Sequence, residues 1–253
     1  MRADKDIPAL WREEERLAHV YGWDFSHLDG RWEEEGDLPW DYRETILRYR
    51  TPDMKILDVD TGGGEFMLSL GHPKANLAAT EAYPPNVALC REKLSPLGVD
   101  FRPGRAEALP FEDEGFDMVI NRHGDFSPGE FWRVLKPGGL LITQQVGAEN
   151  DRELVELLMP RVPNLPFPEQ YLTIALEKLR ERGFRILEQQ ESFRTMRFYD
   201  VGALVWFARI IEWEFPGFSV DSCADGLWKA QELVEAQGFV EGKVHRYYIV
   251  AQK

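Results

Sequence analysis

A short apolar run that ends in three glycines constrains this chain more than any other feature. Residues 55–59 (KILDV) read as a buried strand, which passes through Asp60 and Thr61 into Gly62, Gly63 and Gly64. An apolar stretch beginning at Phe66 follows. A strand that turns on glycines into a helix presents the free N–H groups of the helix's first turn at the strand's C-terminal edge. Glycine allows positive φ and lets a ligand approach the backbone closely. Glu81 closes the next apolar run, NLAATE (76–81). It lies about 20 residues on, the separation at which a carboxylate reaches a ribose.

The same alternation continues. PPNVALCREKLSPLG (84–98) reads as a helix with proline in its first turn and Gly98 at its end. VDFRP (99–103), FDMVIN (116–121) and LLITQQV (140–146) read as strands, with a helix near Glu130–Leu135 and a turn at KPGG (136–139). Strands alternating with helices predict an α/β fold, a mostly parallel sheet with helices on both faces. After Gly147 the pattern changes. MPRVPNLPFPEQ (159–170) predicts an extended loop. EQYLTIALEKLRERG (169–183) predicts an amphipathic helix and FRILEQQESF (184–193) a strand. Helices near Val201–Trp213 and Asp225–Gln237 and a final strand, KVHRYYIVAQK (243–253), complete the reading.

Composition narrows the function classes. The chain has 253 residues, 43% of them hydrophobic, enough for a sizeable core. No apolar run is long enough to cross a membrane, and the charged start MRADKDIPALWREEERL lacks a secretory pattern, so a cytoplasmic location is expected. Cys90 and Cys223 are the only cysteines, which argues against a disulfide framework or a metal centre. A formal net charge of -14 disfavours a nucleic-acid partner, although one local basic groove could outvote it.

A glycine turn followed by an acidic strand end also fits dinucleotide enzymes. Their G-x-G-x-x-G pattern, started at Gly62, requires glycine at 67, where this chain has Met67. Four segments taken together point elsewhere: ILDVDTGGGEF (56–66), TEAYPPNV (80–87), GRAEALPFEDEGFDMVINRH (104–123) and RVLKPGGLLITQQV (133–146). In order and spacing they resemble class I S-adenosylmethionine-dependent methyltransferases, over roughly residues 46–150. The resemblance implies a Rossmann-like sheet of seven strands with the last one antiparallel, S-adenosylmethionine as cofactor and a small-molecule methyl acceptor. On that basis residues 1–45 are expected to form an N-terminal cap segment. Residues 46–253 are expected to form the methyltransferase domain, with a cofactor half (46–150) and an acceptor-side insertion at about 194–240.

The resemblance also implies roles. Asp58 would orient the turn or the methionine ammonium, and Asp60, Thr61, Gly62, Gly63 and Gly64 would line the amino-acid half of the cofactor. Glu81 would hold both ribose hydroxyls. Ala82 and Tyr83 would flank the adenine, and Ala106 and Glu107 would meet its edge. Asn121, Arg122 and His123 would lie under the sulfonium and face the acceptor. His123 is the candidate base or, equally, a structural histidine. Asp60 stands where the family usually has glycine, and Arg105 where it often has an acid, so cofactor binding without turnover remains an alternative, as does an RNA base acceptor.

Tryptophans punctuate the leader at 11, 23, 32 and 40, among many glutamates. In LPWDYR (38–43), an extended segment would set Trp40 and Tyr42 on one face, over the cleft. Trp206 and Trp213 are further acceptor-pocket candidates, with plain core packing as the rival reading.

Overall fold

The computed structural model describes residues 6–19 and 25–253; Trp23 lies outside them. The first half of the chain runs α1 (Ile7–Leu17), β1 (Trp32–Glu34), α2 (Tyr42–Tyr49), β2 (Ile56–Val59), α3 (Glu65–Ser69), β3 (Leu77–Glu81), α4 (Pro84–Lys93), β4 (Asp100–Pro103) and β5 (Phe116–Arg122). The second half runs α5 (Pro128–Val134), β6 (Leu135–Val146), α6 (Arg152–Leu158), α7 (Leu172–Arg182), β7 (Arg185–Phe198), α8 (Val201–Ile210), α9 (Ala224–Gln237) and β8 (Val240–Gln252). The strands are ordered β1-β7-β8-β6-β5-β2-β3-β4.

The chain divides into two compact units. One holds Leu38–Gly147, Glu169–Glu191 and Arg246–Lys253. Here β2 runs parallel to both β3 and β5, and β6 runs parallel to β5. The β8 strand is antiparallel to β6, from Leu140 opposite Gln252 to Val146 opposite Arg246. Side chains alternate across the sheet as strand geometry requires. Leu57, Val59, Val119, Leu141, Tyr247 and Ile249 pack on one face with Phe131 of α5 and Leu176 and Leu179 of α7. Ile56, Met118, Ile120, Ile142, Tyr248 and Val250 pack on the other with Ile46 of α2, Met67 of α3 and Cys90 of α4. The sheet is thus covered by helices on both faces, and Asp58 falls in register with the second set.

Local chemistry sets the helix ends. Asp41 caps α2 by accepting from the backbone N–H of Glu44 at 2.9 Å. Two prolines open α4, and Gly183, at φ 102°, closes α7 in the left-handed region. The KPGG segment, read as a turn, instead belongs to β6, where the backbone N–H of Gly138 bonds the Lys253 carbonyl at 2.9 Å.

The other unit holds the described part of Met1–Asp37, with Ala148–Pro168 and Ser192–His245. Its core joins Trp11 of α1, Leu154 and Leu158 of α6, Leu204 and Phe207 of α8, and Leu227 and Ala230 of α9. Within it β1 pairs antiparallel with β7, Trp32 opposite Phe198. This strand makes the sheet eight-stranded where seven strands were expected. Three residues, WEE, are too few to show a period-two pattern, and β1 is held by its pairing. The α6 helix was also not foreseen.

Candidate cofactor and acceptor site

The turn after β2 is built by its own polar groups. Asp58, 5% exposed, accepts from the Thr61 hydroxyl at 2.5 Å, which folds the chain back on the strand end. Gly62 and Gly64 sit at φ 63° and 77°, and Gly64 caps α3. A Cβ on Gly64 would lie 2.7 Å from Leu94 Cδ2, so glycine is needed there for conformation and for space. The Cys90 thiol donates to the Gly62 carbonyl at 3.0 Å and pins the turn to α4.

Glu81 ties this turn to the end of β3. Its Oε2 accepts from Gly62 N at 3.0 Å and from Asn86 Nδ2 at 3.2 Å. Its Oε1 accepts from Ala82 N at 2.8 Å and Tyr83 N at 2.9 Å. Four donors fill the lone-pair positions of a carboxylate, so a ribose diol would exchange with some of them. Tyr83 beside it is 62% exposed, and Ala82 is exposed too. Ala106 is fully buried, whereas Glu107 is exposed and meets Arg105 Nε at 3.4 Å.

Asp60 adopts φ 57°, and its Oδ2 accepts from the backbone N–H of Asp125 at 2.8 Å. Burial pushes its carboxyl up to about 6, and the nearby charges of Asp125, Glu81 and Glu107 act the same way against the bond from Asp125 N. Burial likewise pushes Asp58 up to about 7, with Asp60 and Glu81 adding to the rise and Thr61 and Arg122 opposing it. Such a group of crowded carboxylates favours a cation beside it.

At the end of β5, Asn121 is fully buried. Its Nδ2 donates to the Val59 carbonyl at 3.2 Å, and its Oδ1 accepts from Thr143 and Gln145. It therefore fastens β5 to β2 and β6. Arg122 is exposed and lays its guanidinium 4.2 Å from the centre of the Phe66 ring. His123, at φ 58° and exposed, has its Nε2 3.0 Å from Gln144 Nε2. Loss of water around the ring as the protein packs about it, and then the charges of Arg246 and Arg122, hold its pKa well below the ordinary histidine range. A base so weak takes up little of a proton at neutral pH.

Trp40 and Tyr42 are not the matched pair expected of an extended segment, because Tyr42 already belongs to α2. The Tyr42 ring is buried, and its hydroxyl sits 3.0 Å from the Ile142 carbonyl and 3.2 Å from the Asn121 carbonyl. Trp40 donates from Nε1 to Gln144 Oε1 at 2.7 Å and stacks on Tyr248 at 5.6 Å. It also lines a cavity of about 790 Å³ with Glu44, Arg48, Glu188, Gln190 and Tyr248. Glu188 there accepts from Tyr49, Tyr248 and Arg48. Trp206 lies in the core of the other unit, 2% exposed and stacked on His27, which is the core reading; Trp213 is 44% exposed. Among the described residues no cluster of metal-ligating side chains occurs, and no helix is long and apolar enough to cross a membrane.

Asn86, Cys90, Gln144 and Gln145, which join this hydrogen-bonded cluster, were not among the residues expected there. The two glutamines carried a signal: amides at the end of an otherwise apolar strand must find partners when buried.

Residues 57–143 match the methyltransferase domain family. A demethylmenaquinone methyltransferase of Thermus thermophilus is 36% identical over 117 residues, 42% of this chain and 53% of the relative. A phthiotriol/phenolphthiotriol dimycocerosates methyltransferase of Mycobacterium ulcerans is 30% identical over 120 residues, 44% of each chain. The chain thus spans about half the length of these curated relatives. Among solved structures, a candidate methyltransferase of Bacillus halodurans C-125 superposes with a TM-score of 0.59 at 19% identity, over 84% of this chain and 98% of the other. The glycine turn, the acidic end of β3, the strand order and these likenesses agree: residues 57–143 match the methyltransferase domain family, and the chain has the fold of that solved structure.

Proposed function

We propose that the chain transfers a methyl group from S-adenosylmethionine to a small, lipophilic acceptor. The observation that carries this reading is the coupling of Glu81 to Gly62, which puts a carboxylate and a glycine turn at one strand-end cleft. The residues present fit the cofactor. A Cβ at Gly62 would meet nothing within 4 Å, so there is room above the turn. Asp58, whose carboxyl is pushed up by burial with the charges of Asp60 and Glu81 adding to the rise, suits a cationic ligand. Glu81 would hold the ribose, Tyr83 would cover the adenine, and Asp58 would face the ammonium.

Bound there, the cofactor supplies an electrophilic methyl group. The chain's own part is alignment and exclusion of water, the main sources of rate in an in-line transfer. Asn121 holds the ends of β2, β5 and β6 rigid beneath that line. The lipophilic acceptor class is supported by the names of the relatives, demethylmenaquinone and phthiotriol methyltransferases. A second reading, binding without turnover, is favoured by Asp60, whose carboxylate occupies the turn where the family carries no side chain. Calorimetric titration with S-adenosylmethionine and S-adenosylhomocysteine tests the first step. One-to-one binding of both supports the cofactor assignment, and no binding of either overturns it. A methyl-transfer assay with quinol and phenol acceptors then separates turnover from binding alone.

A further inference from the structure

We propose that Trp40 and Gln144 lock His123 in the tautomer protonated at Nδ1, so that His123 offers a hydrogen-bond donor to an anionic oxygen of the acceptor. This rests on the methyl-transfer reading for its ligand, and on geometry alone for its tautomer.

The chain of donors has one direction. An indole nitrogen can only donate. The Gln144 side-chain atom 2.7 Å from Trp40 Nε1 is therefore the amide oxygen. The other end of that amide is then the nitrogen, which can only donate as well. It lies 3.0 Å from His123 Nε2. That ring nitrogen must be the acceptor, and the proton of the neutral ring sits on Nδ1. The stack of Trp40 on Tyr248, with planes 16° apart, keeps the indole from turning away. Gln144 also fixes the histidine backbone, since its carbonyl accepts from His123 N at 2.8 Å.

Two consequences follow for the site. His123 Nε2 already has a partner and cannot take a proton without losing it. Among the described residues Nδ1 has no hydrogen-bond partner, and the side chain is exposed at the end of β5, so its N–H is available to a ligand. Two positive charges act on the ring: Arg122 precedes it on β5, and Arg246 stands on β8 opposite Val146. A donor N–H under the influence of two guanidinium charges selects a phenolate or enolate oxygen over the neutral hydroxyl. An acceptor that binds ionised has given its proton to solvent, and no protein base is required at this atom.

The test uses the full chain with 15N-labelled histidine at pH 8. The chain has five histidines, so the His123 signals are assigned by their loss in His123→Asn. The wild type is expected to show a protonated Nδ1 and an unprotonated Nε2. Gln144→Glu replaces the donor by an acceptor of the same shape, and should move the proton to Nε2 while still accepting from Trp40. Trp40→Phe should release the ring to the Nε2–H form that exposed histidines prefer. A wild-type His123 protonated at Nε2, or a Gln144→Glu variant with an unchanged tautomer, overturns the lock. The probe for the acceptor is 4-nitrophenolate added with S-adenosylhomocysteine. Wild-type Nδ1 should shift on binding, and Gln144→Glu should bind the phenolate about tenfold more weakly, as for loss of one charge-assisted hydrogen bond. Equal phenolate affinity overturns the donor role. Failure of S-adenosylhomocysteine to bind the wild type would instead refute the methyl-transfer reading and leave the tautomer result standing.

Discussion

The carboxylate of Asp60 accepts a 2.8 Å hydrogen bond from the backbone N–H of Asp125. That bond clasps the turn after β2 to the turn after β5. A Cβ added to Gly124 would come within 2.7 Å of the Asp60 side chain, so the two turns are in close contact. In the proposed reading the clasp lies beside the methionine half of the cofactor.

Asp60→Gly removes the clasp and also relieves a left-handed residue. A left-handed L-residue costs about 1–2 kcal/mol. A hydrogen bond to a charged group contributes about 1.5–3 kcal/mol. The two nearly offset, so stability in urea should fall by no more than about 1–2 kcal/mol. S-adenosylhomocysteine should bind several-fold more tightly, because a carboxylate beside the ligand's own carboxylate is gone. Calorimetric titration decides. Weaker binding would make Asp60 a ligand contact.

Glu81 should matter for folding as well as binding. Glu81→Ala leaves the N–H groups of Gly62, Ala82 and Tyr83 without their acceptor. Part of that loss is met by water, so a destabilisation of about 2–4 kcal/mol is expected. Glu81→Gln should keep part of the stability and lose most of the cofactor affinity. Denaturant melts together with titration check both. An Ala variant of wild-type stability would show that these bonds carry little.

The acid pair gives a pH dependence of definite sign. Asp58 and Asp60 have carboxyls raised in the fold, to about 7 and about 6, above the usual value near 4 for an unfolded aspartate. Their contribution to stability is fully present below about pH 4 and is lost as pH rises through 6 to 7. A cationic ligand whose ammonium faces Asp58 reverses the preference there by favouring the ionised form. Affinity for S-adenosylmethionine should therefore rise between pH 5.5 and 7.5, with protons released on binding. Calorimetry in two buffers of different ionisation enthalpy measures that release. Proton uptake, or a flat affinity, would contradict the assignment of these carboxyls to the site.

Gly64→Ala meets two obstacles at once, a φ of 77° and a 2.7 Å approach to Leu94 Cδ2. A loss of about 2–4 kcal/mol is expected, the sum of left-handed strain and overpacking. Adding Leu94→Ala should recover only the steric part, which a double-mutant cycle isolates. Full additivity of the two substitutions would show that the side chain of Leu94 does not crowd the turn.

Where the sheet lies was legible because its strands are short apolar runs bounded by turn residues. KILDV and FDMVIN needed no partner to be read, since both faces of a covered parallel strand are apolar. The glycine turn and Glu81 were legible for a similar reason: backbone conformation and strand-end charge are written locally. The β1 strand was not, because Trp32–Glu34 is a strand only through its pairing with β7. Nor was the role of Trp40. Its partner Gln144 is 104 residues away, and no local pattern carries a contact of that span. Tyr42 was read as extended, whereas the Asp41 cap starts α2 at the tyrosine itself. Trp206 went to a core because α8 is apolar nearly all round, a pattern that marks burial more than a pocket.

In the proposed function the glycine turn and Glu81 together hold the cofactor. A crystal structure of the chain grown with S-adenosylhomocysteine tests it most directly. The ribose hydroxyls are expected about 3 Å from the Glu81 carboxylate, the adenine against Tyr83, and the ammonium facing Asp58, with one or more of the Gly62, Ala82, Tyr83 or Asn86 hydrogen bonds to Glu81 exchanged for the ribose. Density for the ligand elsewhere in the chain, with Glu81 still holding all four of its present donors, would contradict it.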